Sequence, residues 1–240
     1  MPIRAVLWDI DDTLFDYAGA DRTGMSAHLG REGLPGGYAD VEQALAAWKR
    51  LTQIHWDRVA RGLTDFPGQR RDRVRDFLGA PYMTDAEADD WFGRHLVHYE
   101  AAWSLFPDAV PALDLLAGDY RHAVLSNSSL AHQERKLRAL GVRDRFETVV
   151  CAVELGVSKP EARAFLAACE AIGLPPHEVA YVGDQPDIDA RGAVEAGLAG
   201  IWLDREGAGG RPELTRITGL DQLAPLLRGD TRFGAPSTFG

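Results

Sequence analysis

Five short, largely apolar runs set the strongest limit on how this chain folds: Ala5 to Trp8, His122 to Leu125, Thr148 to Ala152, Val179 to Val182 and Leu198 to Leu203. A strand with one wet face alternates apolar and polar residues. An unalternated run bounded by turn formers fits a strand covered on both faces, which is the situation of a parallel sheet. Helical patterns follow several of these runs. Leu130 to Leu140 stops at Gly141, Glu161 to Ile172 begins after Pro160 and stops at Gly173, and Ile188 to Ala196 stops at Gly197. Alternation of strand and helix predicts an α/β fold with a doubly wound, Rossmann-like parallel sheet as its core.

One region breaks that alternation. Between about residues 18 and 103 no strand pattern stands out, whereas Ala39 to Arg61, Phe66 to Leu78 and Ala86 to Ala102 carry apolar residues at helical spacing. The expected organisation is therefore a catalytic core of residues 1–15 and 104–240, with an all-helical cap of residues 16–103 inserted after the first strand. Trp48, Trp56, Trp91 and Trp103 read as the core of that cap. The basic run Gln69 to Arg75 reads as a solvated, salt-bridged helix face. The loop Gly207 to Pro212 and the tail 229–240 are rich in Gly, Pro or Ser and are expected to be mobile.

The totals exclude several classes. A net charge of −10 argues against a nucleic-acid binder, which needs a basic surface. Two cysteines, Cys151 and Cys169, make no disulfide framework and no cysteine metal site. No stretch is long and apolar enough for a membrane span. Met1-Pro2-Ile3-Arg4 leads straight into the first apolar run without a signal-peptide pattern, so a cytoplasmic location is expected.

Chemistry enters at the ends of the runs. The first leads into Asp9, Asp11 and Asp12. The second leads into Ser126 and Asn127, with Ser128 and Ser129 beyond them as expected helix caps. The fourth leads into Gly183 and Asp184, with Asp187 and Asp189 close behind, and Lys159 precedes Pro160. In an open α/β sheet these strand ends converge on one crevice. Pooled carboxylates repel and raise one another's pKa unless a cation answers them, and oxygen-only donors suit Mg²⁺. No histidine pair has metal-ligand spacing.

Four blocks in order, DIDDT (Asp9 to Thr13), LSNSS (Leu125 to Ser129), SKP (Ser158 to Pro160) and VGDQPDID (Val182 to Asp189), resemble the motifs of the haloacid dehalogenase superfamily, and the helical insertion resembles its C1 cap. The DDTLF form is similar to the nucleotidase and sugar-acid phosphatase branches, subfamily I. The resemblance implies a Mg²⁺-dependent hydrolase acting on a small-molecule phosphomonoester, a nucleotide or sugar phosphate, through an aspartyl phosphate. It implies Asp9 as nucleophile and Asp11 as general acid and base. Lys159 would neutralise Asp9 and the phosphoryl oxygens, and Ser126 and Asn127 would bind the phosphate. Asp9, Asp11 (through its carbonyl) and Asp184 would hold the metal, with Thr13 and Asp189 in support and Asp12 a spectator turn former. Two rivals share the core: a phosphosugar mutase, whose cap histidine is replaced here by Asp21, and a non-catalytic binding protein. A dehalogenase would lack Asp11.

Overall fold

The computed structural model describes residues 2–229. Six strands form one parallel sheet: β1 (Ala5–Trp8), β2 (Arg121–Ser126), β3 (Val149–Cys151), β4 (Val179–Gly183), β5 (Ala199–Leu203) and β6 (Thr215–Ile217). Their order is β3-β2-β1-β4-β5-β6. Ten α-helices accompany them among the described residues. Five lie between β1 and β2, the first four being α1 (Tyr17–Glu32), α2 (Val41–Ala60), α3 (Phe66–Leu78) and α4 (Asp85–Ala101). The others are α5 (Ala109–Leu116), α6 (Leu130–Ala139), α7 (Ala152–Leu155), α8 (Ala162–Ala171), α9 (Gly192–Glu195) and α10 (Leu223–Arg228).

The chain divides into two compact units. One runs to Asp16 and resumes at Ser104; the other is Tyr17–Trp103. In the first unit β1 takes the centre of the sheet because all four of its side chains are buried. Its register sets Trp8 beside Val124 on one side and Val182 on the other. The chain travels outward through β2 and β3, then returns to β4 on the opposite flank of β1. The carboxyl ends of β1 and β4 therefore flank the point where the winding reverses, the place where open α/β sheets bind ligands. On one face α8 packs Phe165, Ala168 and Cys169 into one core with Leu7, Leu125 and Tyr181.

The helical unit is held by its own aromatic core of Met25, Leu29, Trp48, Val74, Phe77, Trp91 and Phe92. Its helix ends follow the sequence rules. Asp40 and Asp65 cap α2 and α3, Thr84 and Glu87 form a reciprocal capping box on α4, and Gly79 takes the left-handed conformation that ends α3.

The structure corrects several expectations. The helix anticipated at Ile188 to Ala196 begins instead as a wide π-turn, Pro186–Arg191, and only then narrows into α9. Helices α1 and α5 and strand β6 had no clear pattern: β6 is a three-residue edge strand with two exposed side chains. Ser129 stands at the start of α6 without a side-chain cap bond, and the first helical amide, Leu130 N, donates to the Glu154 carboxylate at 3.0 Å. The basic stretch of α3 is not wholly solvated. Arg71 and Arg75 do pair with Asp85 on the surface, but Arg73 is buried, with its guanidinium 4.4 Å from the Trp48 ring centroid and bonded to Thr52 Oγ1. The Gly207 to Pro212 loop is tied down: the amides of Ala208 and Gly209 donate to Asp204, and Arg211 pairs with Asp187 and Glu213. The tail beyond residue 229 lies outside the described residues. Cys151 and Cys169 are both buried free thiols.

One internal pair gives the fold a pH dependence. Trp8 Nε1 donates to His122 Nδ1 at 2.9 Å, which requires the neutral imidazole. Burial, aided by Arg145, lowers the His122 pKa to about 4. A folded pKa below the unfolded value means stability that is complete above about 6.5 and is lost as pH falls toward 4. The loss attributable to this group is expected to be up to about 3 kcal/mol. His122→Asn, which keeps an acceptor near the Nδ1 position, should flatten urea-unfolding stability between those pH values. An unchanged slope would refute the assignment.

Candidate active site

Asp9 follows β1 directly, and its amide donates to Val182 O in β4, so the sheet itself sets its position. Its carboxylate is buried and bonded at both oxygens: Lys159 Nζ lies 2.7 Å from Oδ1, and Thr13 Oγ1 donates to Oδ2 at 3.2 Å. Lys159 is itself buried. Its ammonium also reaches Asp189 Oδ1 at 2.7 Å and Tyr181 Oη at 2.6 Å. Those contacts raise the Lys159 pKa: burial alone would lower it, but Asp189 and Asp9 outweigh the desolvation. The ammonium therefore stays charged where an unpaired lysine would lose its proton.

Asp184 and Asp189 come from the turn after β4. Asp189 is fully buried, and its Oδ2 accepts from the Gln185 amide at 3.0 Å. The π-turn brings Asp189 back under Gly183, where a Cβ would collide with the Asp189 carboxylate; only glycine leaves room for it. Asp9, Asp184 and Asp189 each offer a carboxylate oxygen, and these lie within 4.8 Å of one another. Buried Asp184 Oδ1 has no hydrogen-bond partner. Burial, reinforced by Asp9 and Asp189, pushes the Asp184 pKa up to about 9. Burial with Asp189 and Asp11, opposed by Lys159, pushes Asp9 up to about 7. One lysine is thus not enough positive charge for three acids. An orphaned oxygen in an all-oxygen donor set fits a hard divalent cation.

Asp11 lies apart from this trio. Its carboxylate is bonded to Lys136 Nζ and accepts from Gln133 Nε2 at 2.8 Å. Burial works to raise its pKa, and the Lys136 ammonium outweighs it, leaving the group below its ordinary value. Ser126 Oγ accepts from the same Gln133 amide at 3.0 Å. Asn127, expected to bind phosphate, makes reciprocal side-chain bonds to the Lys159 backbone, Nδ2 to the carbonyl at 2.9 Å and Oδ1 from the amide at 2.8 Å. It positions the lysine. Asp12 adopts the left-handed conformation, φ 60°, and turns the loop so that its amide meets Phe15 O. Its charge still contributes to raising Asp184, so it is not without electrical effect.

Sequence reasoning missed four contributors. Tyr181 reads as strand core, yet its hydroxyl joins Lys159, Asp189 and the Leu125 carbonyl. Gln133 and Lys136 read as an ordinary helix surface. Arg205, just after β5, donates to the Thr13 carbonyl at 2.8 Å while paired with Asp108, and so braces the Asp9 loop. A polar tip inside an apolar strand was the one signal available, at Tyr181.

A parallel sheet carrying a buried acid trio and one lysine at its winding reversal defines a class of hydrolases. The model of the haloacid dehalogenase-like hydrolase family matches residues 3–197, and the chain belongs to that family. It is 30% identical to the phosphoserine phosphatase of Thermus thermophilus, across 88% of this chain and 91% of that one. It is 26% identical to the glyceraldehyde 3-phosphate phosphatase of Methanopyrus kandleri, across 85% and 84%. Among solved structures, the magnesium-bound HAD-hydrolase YfnB from Bacillus subtilis superposes with a TM-score of 0.78 at 21% identity, covering 95% of this chain and 99% of that one, a likeness of fold.

Proposed function

We propose that the protein is a Mg²⁺-dependent phosphomonoester hydrolase that acts on a small phosphorylated metabolite, a nucleotide or sugar phosphate, through an aspartyl phosphate on Asp9. The observation that carries this reading is the buried Asp9 carboxylate, gripped by Lys159 at 2.7 Å and set among Asp184 and Asp189. Kinship with phosphatases supports it.

In the first half, an Asp9 oxygen attacks phosphorus and the bond to the leaving oxygen breaks. The leaving alkoxide needs a proton, and Asp11 would supply it from its protonated form, which the Lys136 and Gln133 donors disfavour until substrate is bound. In the second half, water attacks the acyl phosphate, Asp11 takes its proton, and Asp9 is released with inorganic phosphate. Lys159 offsets the charge of the nucleophile and of the phosphoryl oxygens during both attacks. The Ser126 hydroxyl is free to rotate and donate to a phosphoryl oxygen. Asn127 and Tyr181 hold Lys159, and Thr13 and Asp189 hold Asp9 and the lysine. Asp9, Asp184 and the Asp11 carbonyl would hold Mg²⁺, which supplies the positive charge that lets an anionic nucleophile approach an anionic phosphate. The helical unit, as a cap, would select the leaving group. Asp11 argues against a dehalogenase, which has no leaving oxygen to protonate.

The test is phosphate release from a panel of phosphomonoesters in Mg²⁺ and in EDTA, read together with thermal melts. The Asp9 and Asp184 pKa values are raised above the ordinary 3.8, to about 7 and about 9. The cation-free fold therefore loses stability as pH rises across that window, and a bound cation restores it. Mg²⁺ is expected to raise the melting temperature more at pH 8 than at pH 5.5, and Asp184→Asn should abolish the shift. Equal turnover in EDTA and Mg²⁺ would defeat the metal assignment.

A further inference from the structure

Helix α6 begins just beyond the end of β2 that carries Ser126. Gln133 and Lys136 are three residues apart and share one face of it. That face is turned inward: Gln133 is 0% exposed and Lys136 1%. Burying an ammonium and an amide carries a desolvation cost that must be answered by specific partners. Here both are aimed at one carboxylate. Gln133 Nε2 donates to Asp11 Oδ2 at 2.8 Å and to Ser126 Oγ at 3.0 Å, and Lys136 Nζ is bonded to Asp11 Oδ1. The Lys136 ammonium also lies 4.2 Å from the Phe15 ring centroid, which limits where it can go. Both Asp11 oxygens thus accept from a donor, and the two contacts fix the side chain's rotamer.

We infer that Gln133 and Lys136 are positioning residues that fix the Asp11 side chain, by a donor on each oxygen, as the base for the second half of the reaction. The inference rests on the phosphatase reading above. In that half, an oxygen–phosphorus bond forms from water, the water proton passes to Asp11, and the bond from phosphorus to Asp9 breaks. Gln133 Nε2 also donates to the Ser126 hydroxyl, so one amide bridges the base and the group proposed to meet phosphate.

The experiment uses p-nitrophenyl phosphate, whose leaving group needs little help from an acid. Its kcat/KM reports events through formation of the phosphoenzyme, whereas kcat also includes its hydrolysis. Lys136→Met is expected to lower kcat on the order of 10–100-fold, within the usual reach of general base catalysis. Its kcat/KM should stay within about threefold, so KM falls in parallel, and acid-quenched phosphoenzyme should accumulate. Lys136→Arg should restore most of kcat. Gln133→Leu should show the same split more weakly, and it carries the test if Lys136→Met does not fold. A folded variant in which kcat and kcat/KM fall together, or in which kcat is unchanged, overturns the inference while leaving the phosphatase reading intact. A wild-type enzyme that releases no phosphate from any ester overturns both.

Discussion

Asp9→Asn is expected to abolish phosphate release, by on the order of 10⁴–10⁶-fold as for other lost nucleophiles, and at the same time to make the cation-free fold more stable. The two effects have one cause. Burial and the neighbouring Asp189 and Asp11 raise the Asp9 pKa to about 7 despite Lys159. A carboxyl raised above its ordinary value contributes a penalty that grows with pH from about 3.8 to about 7. Asparagine removes the charge and the penalty while keeping the shape. The variant should melt several degrees higher than wild type at pH 8 in EDTA, with the gain shrinking toward pH 5. Trapping the wild-type phosphoenzyme in acid and reducing it with borohydride should mark residue 9. A variant that still turns over, or that melts lower at pH 8, would remove Asp9 from the centre of the mechanism.

Lys159→Met is expected to be as damaging to the fold as to activity. Its ammonium is bonded to Asp9, Asp189 and Tyr181, all within 2.7 Å. Without it two buried carboxylates face each other unanswered. Breaking a buried pair from one side typically costs about 3–5 kcal/mol. At this chain length, that corresponds to roughly 6–20 °C of melting temperature for a cooperative transition. The deficit has a sign in pH: with the lysine gone, Asp9 rises further above its ordinary range, so the variant should lie further below wild type at pH 8 than at pH 5. Turnover should fall by at least about 10³-fold, because the phosphoryl oxygens lose their fixed counter-charge. Melting curves equal to wild type at both pH values would show that the pair contributes nothing.

Most of the sheet could be read from the sequence because buried parallel strands are continuous apolar runs, and β1 matched its run residue for residue. The π-turn at Pro186–Arg191 could not, since apolar spacing there suits an ordinary helix; the wide turn follows from how Asp189 must lie under Gly183. The acids stood out because they cluster at strand ends, whereas Lys159 stood out only through the resemblance of its SKP block. Gln133 and Lys136 did not, because a lysine in an amphipathic helix normally points to water and only the tertiary structure turns it inward. Asn127 carries a second contact that its place in the sequence did not suggest, the paired bonds between its side chain and the Lys159 backbone.

The sheet's central strand is also its first in chain order. Ala5 pairs with Arg121 and with Val179, so β1 has no neighbour on one side until residue 179 and those following it exist. At ordinary rates of synthesis that interval is on the order of 10–40 s. Through it the segment Ala5 to Trp8 is a sticky edge with acids at its end. The acid trio is completed by residues 184 and 189, so a chain released early would lack two of the three carboxylates proposed to surround a cation. Truncation or stalling ahead of β4 would therefore yield an aggregation-prone species that added magnesium cannot rescue.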